Sequence, residues 1–410
     1  MSRDDPTHGA GIPKEGERAC ALVFAALAAI GAATFLIGVF GPEPQRAWQT
    51  YHINLLFWSG LAFGTVLFSA ALNMSLAKWG RPVKRLAEAP GAFLPVAFVL
   101  FCLLYFGREA VFPWGREPVH GKEFWLNAEF VFLRDGLSFL VLTGLAVALI
   151  YYSVRGDLAL ASGAAEPRKP GAAPVDGKGS DVQIVVSTVY GILYSIVVSL
   201  LGYDLVMSLD PHWVSTLFGA YFFIGAFYCG LSAILILSAV AVKSMGMGGL
   251  VTGTQFHDVG KLLLAFCIVA GDFFYCQFFV IWYGNLPEET RYILLRLRMP
   301  PWNYISWAVL LTCFVIPFVI LLSKRIKTKP VAMMALGIFI LSGMWLERYL
   351  LVVPSIWPGS ELPLGFVELF ITAGFFGIVA LCVLFFLKRF PLVPVSDPMY
   401  REYLETAGKS

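Results

Sequence analysis

The chain has 410 residues, of which 58% are hydrophobic and 15% aromatic but only 14% charged, with a mean hydropathy of +0.74. That composition excludes a soluble globular domain and points to an integral membrane protein. The net charge of +3 singles out no partner, and no nucleic acid is expected. The seven Cys fall mostly inside apolar runs and form no CxxC pair, so they read as small buried hydrophobes rather than metal ligands.

In chain order, ten apolar runs are long enough to span a bilayer, at about 19–40, 53–76, 90–107, 129–153, 183–208, 216–242, 259–284, 303–323, 330–352 and 364–387. The expected fold class is all-α integral membrane with ten transmembrane helices. Residues 1–18 mix acids and bases, and the run behind them is long enough to span, so no cleavable leader is read there. Residues 19–153 hold spans one to four. The stretch 154–182 is rich in Ala, Gly, Pro and Lys and reads as a flexible linker. Spans five to ten fill 183–387, and 388–410 form a C-terminal tail. The segment Pro287–Trp302 is amphipathic and is expected to lie on a surface.

Most Lys and Arg sit in the termini and the even-numbered loops, for example Lys78, Arg81, Lys84 and Arg85, then Lys324, Arg325, Lys327 and Lys329. The positive-inside rule therefore puts both termini in the cytoplasm.

With that orientation the ionisable groups inside spans can be placed by depth. Arg134 and Asp135 fall in the outer turns of span four, and Asp204 about one turn from the outer end of span five. Glu347 and Arg348 occupy the same layer of span nine, and Glu368 the outer start of span ten. Charges in hydrocarbon normally face a bundle interior and have partners, so these are expected to pair or line one polar pocket. Asp272 falls near mid-bilayer in span seven, with Tyr275 three residues on and on the same face. A proton route through Asp272 and Asp204 follows as an expectation. Tyr203, Asp210 and His212 flank Asp204; Asp210-Pro211 reads as a turn, and Ser215 as an N-cap for span six. Helix-tying ion pairs remain the alternative for Arg134 and for Glu347–Arg348. The five His (8, 52, 120, 212 and 257) lie in tails or near loops and make no facing pairs, which argues against a haem-bearing core.

Three stretches resemble a known family: GYDLVMSLDPHWVSTLFGAYFFIGAFYCG, HDVGKLLLAFCIVAGDFFYCQFFVIWYGNLPEET and GMWLERYLLVVPS, with LAKWGRPVKRLAEA after span two. They resemble the NrfD/PsrC-like membrane subunits of alternative complex III, a bacterial quinol:cytochrome c oxidoreductase, most closely ActF and secondly ActC. The resemblance implies two four-helix bundles, spans two to five and six to nine, with spans one and ten peripheral. It implies a chain in the bacterial cytoplasmic membrane with no redox centre or metal of its own and no catalytic residue. Its neighbours would be an ActC-like membrane subunit, an iron–sulfur ActB-like subunit and multihaem c-type cytochromes, so haem c and iron–sulfur clusters sit on partners. Carried onto this sequence, the proton-pathway residues are Asp204, Asp272, Tyr275, Glu347 and Arg348. A quinone or polar pocket draws on Arg134, Asp135, Tyr203, Asp210 and His212, with quinol as the expected ligand. Two rival readings stay open: a secondary transporter, against which the prolines at 95 and 317 form no matched pair, and a purely structural anchor for redox subunits.

Overall fold

The structure is a computed structural model that describes residues 14–161, 177–357 and 361–407. It is 84% helical, and ten helices are long and apolar enough to cross a membrane. In chain order these are α1 (Lys14–Val39), α2 (Pro44–Met74), α3 (Arg81–Val111), α4 (Ala128–Ala161) and α5 (Gly177–Leu205). Then come α6 (Phe218–Ser244), α7 (Gly253–Gly284), α8 (Trp302–Leu322), α9 (Pro330–Ile356) and α10 (Phe366–Arg389). A short α11 (Pro398–Ala407) lies in the tail, and the expected amphipathic segment is a surface helix, Pro287–Leu297.

The helices form two closed rings. Helix α2 packs on α3 and α5, and α4 completes the first ring between them. Helix α6 packs on α7 and α9, and α8 completes the second. The rings join where α2 meets α6 and α9 and where α5 meets α6. Helices α1 and α10 lie against each other outside the first ring, in such close contact that a Cβ on Gly31 would sit 2.4 Å from the Cα of Gly374. Small residues at such crossings let backbones approach where lipid offers no hydrophobic drive.

Helix α2 is the hub. Its apolar window is 83% buried, against 11% for α1 and for α7. Burial on all sides lets it carry Thr50, Asn54, Ser59 and Thr65, whose side chains donate to Arg46, Thr50, Leu55 and Ala62 carbonyls of their own helix. At its start Arg46 grips Glu368 of α10 with two hydrogen bonds of 2.6 and 2.8 Å.

Prolines interrupt three spans, and the breaks are patched. Pro90 falls in a 3-10 segment, Ala89–Phe93, inside α3. Pro317 of α8 cannot donate to Cys313, and the backbone opens there into a π-turn over Leu311–Val315. The Tyr228 hydroxyl of α6 donates to the Cys313 carbonyl at 3.1 Å. Pro354 inside α9 likewise leaves the Leu350 carbonyl without its helical donor, and Arg296 of the surface helix supplies one from Nε at 3.1 Å. Arg296 also donates to the Leu351 carbonyl and the Ser355 hydroxyl, and its guanidinium lies 3.5 Å over the Tyr292 ring.

Several expectations need correction. Arg81, Lys84 and Arg85 are not in a loop: α3 begins at Arg81, and all three are buried. They meet Glu88, Asp157 of α4 and Asp397 of the tail. Arg85 contacts Glu88 at 2.5 Å and pairs with Asp157; Arg81 and Lys84 reach Asp397 at 2.7 and 3.0 Å. Apolar-run counting misses such a cluster because it treats charges near a span end as solvated. The ends of the 154–182 linker are helical, as the last turns of α4 and the first of α5, and 162–176 lie outside the described residues. Ser215 does not cap α6; its hydroxyl donates to Gln277 of α7. Lys388 pairs with Glu17 at 2.5 Å, so the start of α1 and the end of α10 lie together, at the end of the molecule that carries this buried cluster, here termed the basic end.

Two predictions follow from these ties. Burial alone would raise the Asp397 carboxyl, but Lys84 and Arg81 hold it below its ordinary value. Its stabilisation is therefore complete above the unfolded Asp value of about 3.9 and is lost as pH falls through the lower folded value. Protease cleavage of the tail should rise only in that acid window, and Asp397→Asn should cleave readily at neutral pH. Arg296→Met, which keeps the stem but strands the Leu350 carbonyl, should lower unfolding stability by about 1–3 kcal/mol in detergent.

Candidate functional site at the end of the first ring

The end of the first ring opposite the basic end gathers the polar groups of α2, α4 and α5. Arg134 and Asp135 lie in the second turn of α4, and Asp204 in the last turn of α5, one residue before its end. Arg134 Nη2 contacts Asp204 Oδ2 at 2.6 Å, and its Nε lies 3.7 Å from Asp135 Oδ1. Trp125, from the connection between α3 and α4, donates Nε1 to Asp204 Oδ1 at 2.9 Å, and the Arg134 guanidinium stacks 3.9 Å over its ring. The connection is pinned further by Trp114 Nε1 to Ser208 Oγ at 2.9 Å and Lys122 Nζ to the Pro211 carbonyl at 2.6 Å. It forms a roof over Asp204.

Asp135 is fully buried, and neither carboxylate oxygen has a hydrogen-bond donor among the described residues. One arginine thus faces two carboxylates and satisfies Asp204 first. From α2, His52 and Gln49 are also buried at this end. His52 Nε2 lies 2.8 Å from the Leu205 carbonyl, which can only accept, so Nε2 carries the proton and Nδ1 of the neutral ring holds a lone pair. That Nδ1 is unpartnered, as is Gln49 Nε2 three residues earlier on the same face. The ring of Phe112 touches His52 on one side and Phe132 of α4 on the other, and this links the α2 groups to the turn that bears Asp135. Unmet acceptors (Asp135 Oδ1 and Oδ2, His52 Nδ1) and unmet donors (Gln49 Nε2, Arg134 Nη1) therefore occur at one end of one ring. Buried polar groups normally have partners, so a set left open at one place is the signature of a site that takes a polar ligand.

The other expected residues fall elsewhere. Glu347 and Arg348 do not join Asp204. They form a separate buried cluster in the second ring, where Arg348 Nη1 lies 3.2 Å from Glu347 Oε2 and Tyr221 of α6 donates to Glu347 Oε1 at 2.7 Å. Arg348 lies 3.9 Å over the Phe222 ring, and a Cβ on Gly225 would come within 3.1 Å of its Nη2. Tyr194 of α5 lies within the electrostatic reach of Arg348, at the seam between the rings.

Tyr203 turns away from Asp204, one residue round the helix. Its hydroxyl bonds to the Thr216 carbonyl, and its ring lines a shallow groove of about 480 Å³ with Ser195, Ile196, Ser199, Leu200 and Phe223. Asp210 forms a turn, its carbonyl accepting from Trp213 N at 3.0 Å, and His212 is exposed at the rim. Asp272 and Tyr275 do share a face of α7, but it is the outer face: both are exposed on the flank of the molecule. Asp272 therefore does not face the interior that holds Asp204. His52 and Gln49 were missed because a position near the start of an apolar run reads as a loop; the helix starts at Pro44, well before that run.

Comparison with known proteins finds no matching family model and no matching curated protein.

The geometry separates the two partners of Arg134. Arg134→Met leaves two buried carboxylates without a cation and should cost about 3–5 kcal/mol of stability. Asp204→Asn keeps an acceptor for Trp125 and leaves Arg134 to Asp135, so it should cost much less. Unfolding midpoints in detergent check this; equal losses would contradict the shared-cation arrangement.

Proposed function

We propose that this chain is a membrane subunit of a bacterial quinol:electron-acceptor oxidoreductase, of the NrfD/PsrC-like kind found in alternative complex III, and that the end of its first ring receives quinol. In this reading the basic end faces the cytoplasm and the Asp135 site faces the periplasmic side. The observation that carries the proposal is Asp135: a wholly buried carboxylate with no hydrogen-bond donor on either oxygen among the described residues, at the same end of the ring as an unmet imidazole nitrogen and an unmet amide. A hydroquinone complements that set, because its hydroxyl first donates and, once oxidised, its carbonyl accepts.

Chemically, Asp135 or His52 Nδ1 takes a hydroxyl proton while Gln49 Nε2 and Arg134 Nη1 steady the oxygen it leaves. Oxidation of quinol to quinone frees both hydroxyl protons and an electron pair. A haem or iron–sulfur centre on a partner subunit would take the electrons, and the protons would leave on the side where the site lies. Arg134 pairs with Asp204 and stacks on Trp125, which holds the roof in place above the site. The Glu347–Arg348–Tyr221 cluster has nearly all its groups paired within the second ring, which favours a helix-tying role there. Against a secondary transporter stands the placing of the helix interruptions, in the second helix of one ring and the third and fourth of the other rather than in matched positions.

Asp135→Asn in the purified complex should lower quinol oxidation by about a hundredfold or more while the unfolding midpoint holds. His52→Ala should lower it less and shift its pH profile. Unchanged turnover in Asp135→Asn would remove the site from the reaction.

A further inference from the structure

The exposed face of α7 carries Lys261, Ala265, Ile268, Asp272, Tyr275, Phe279 and Trp282, all open on the flank of the molecule. Their spacing alternates four and three, the seam of a helix made to lie along another helix. The depth of each is set by the helix rise. Lys261, paired with Asp258 at 2.7 Å, lies about 16 Å from Asp272, and Trp282 about 15 Å from it on the other side. A Lys and a Trp about 30 Å apart mark the two edges of a hydrocarbon layer, so Asp272 lies at its middle.

That position is untenable in lipid for an ion. An exposed carboxylate at mid-bilayer costs at least about 2.5 kcal/mol, and acids there normally face a bundle or a wet cavity. The contact it makes within the chain is a long one, Cys276 Sγ at 3.9 Å, and no cation meets it among the described residues. The rest of the seam is well suited to contact. Ile268, Tyr275, Phe279 and Trp282 are 45–65% exposed, and Tyr275 and Phe279 stack at 6.1 Å in a stiff aromatic ladder.

We propose that α7 docks a transmembrane helix of a different polypeptide, which places a Lys or Arg opposite Asp272 at mid-membrane. Charge chooses the partner. A second copy of this chain, crossing at the same point, would set one Asp272 against another, and like charges opposed in low dielectric cost several kcal/mol. A basic side chain instead removes the isolated charge and fixes the register of the seam, while the aromatic ladder supplies the contact area. The inference does not rest on the quinol reading.

The test uses the full chain in its native membrane, with a photo-crosslinking residue at Ile268 or Phe279. The expected result is an adduct to a membrane-spanning polypeptide other than this chain, with Lys or Arg in the cross-linked stretch. Asp272→Lys should lower the adduct yield about tenfold, and a Glu at the partner's basic position should restore it. If Asp272→Lys does not insert, Asp272→Asn is read in its place and must also lower the yield. Adducts to a second copy or to lipid alone, or a yield that neither variant changes, would overturn the proposal.

Discussion

In hydrocarbon every polar group must find its partner inside the protein, and this requirement shapes the whole molecule. It explains why α2, the most enclosed helix, tolerates hydroxyls and amides that bond back to its own carbonyls. It explains why prolines are tolerated in α8 and α9, where Tyr228 and Arg296 donate to carbonyls at the interruptions. It also explains why three cations and three acids at the basic end are buried together rather than singly. A charge moved from water into such a place is stable only when its partner moves with it.

Against so thorough a pairing, an unpaired group is informative. Scattered single atoms, an indole N–H here and a hydroxyl there, are ordinary. Asp135 differs because both oxygens of one carboxylate are unmet, close to a cation already engaged by Asp204. The fold arranges this deliberately in the physical sense: Trp125 and Arg134 form a stacked, hydrogen-bonded unit that takes up Asp204, so the second acid is left over. His52 is held by the same logic, since the Leu205 carbonyl fixes its tautomer and leaves the buried Nδ1 as the unmet nitrogen.

The sequence revealed the ten spans and the surface helix because both follow from local pattern: runs of apolar length, and an amphipathic stretch bounded by Pro287 and Pro301. It also placed Arg134, Asp135, Asp204, Glu347 and Arg348 as interior charges; four of them are buried, and Arg134 is partly buried beside Asp204. What it did not reveal was azimuth. Depth along a helix is a matter of counting residues, but which way a side chain points depends on which neighbours enclose the helix. Asp204 and Tyr203 are adjacent in sequence and face different surroundings; Glu347–Arg348 shares a layer with Asp204 yet belongs to another ring. Asp272 was read as central from depth alone and is peripheral, because α7 is one of the least enclosed spans. The same blindness hid Arg81, Lys84 and Arg85, whose partners come from α4 and from a tail more than three hundred residues away in the case of Asp397.

Azimuth then sorts the membrane charges into two kinds. Those turned inward and left open, as at Asp135, are placed to meet a small molecule that can enter a ring. One turned outward, as at Asp272, cannot be reached through the interior, and only something running along the flank can satisfy it. A chain that bears both has one polar address inside and one outside. The two are separated by the seam of α2 and α6, with Tyr194 at the seam and the paired Glu347–Arg348 in the second ring. The rings meet where α2 contacts α6 and α9 and where α5 contacts α6, so a shift of the second ring's helices reaches the inner site through those contacts, the tightest at the α2–α6 crossing, where a Cβ on Gly64 would meet the Ala226 carbonyl at 2.5 Å.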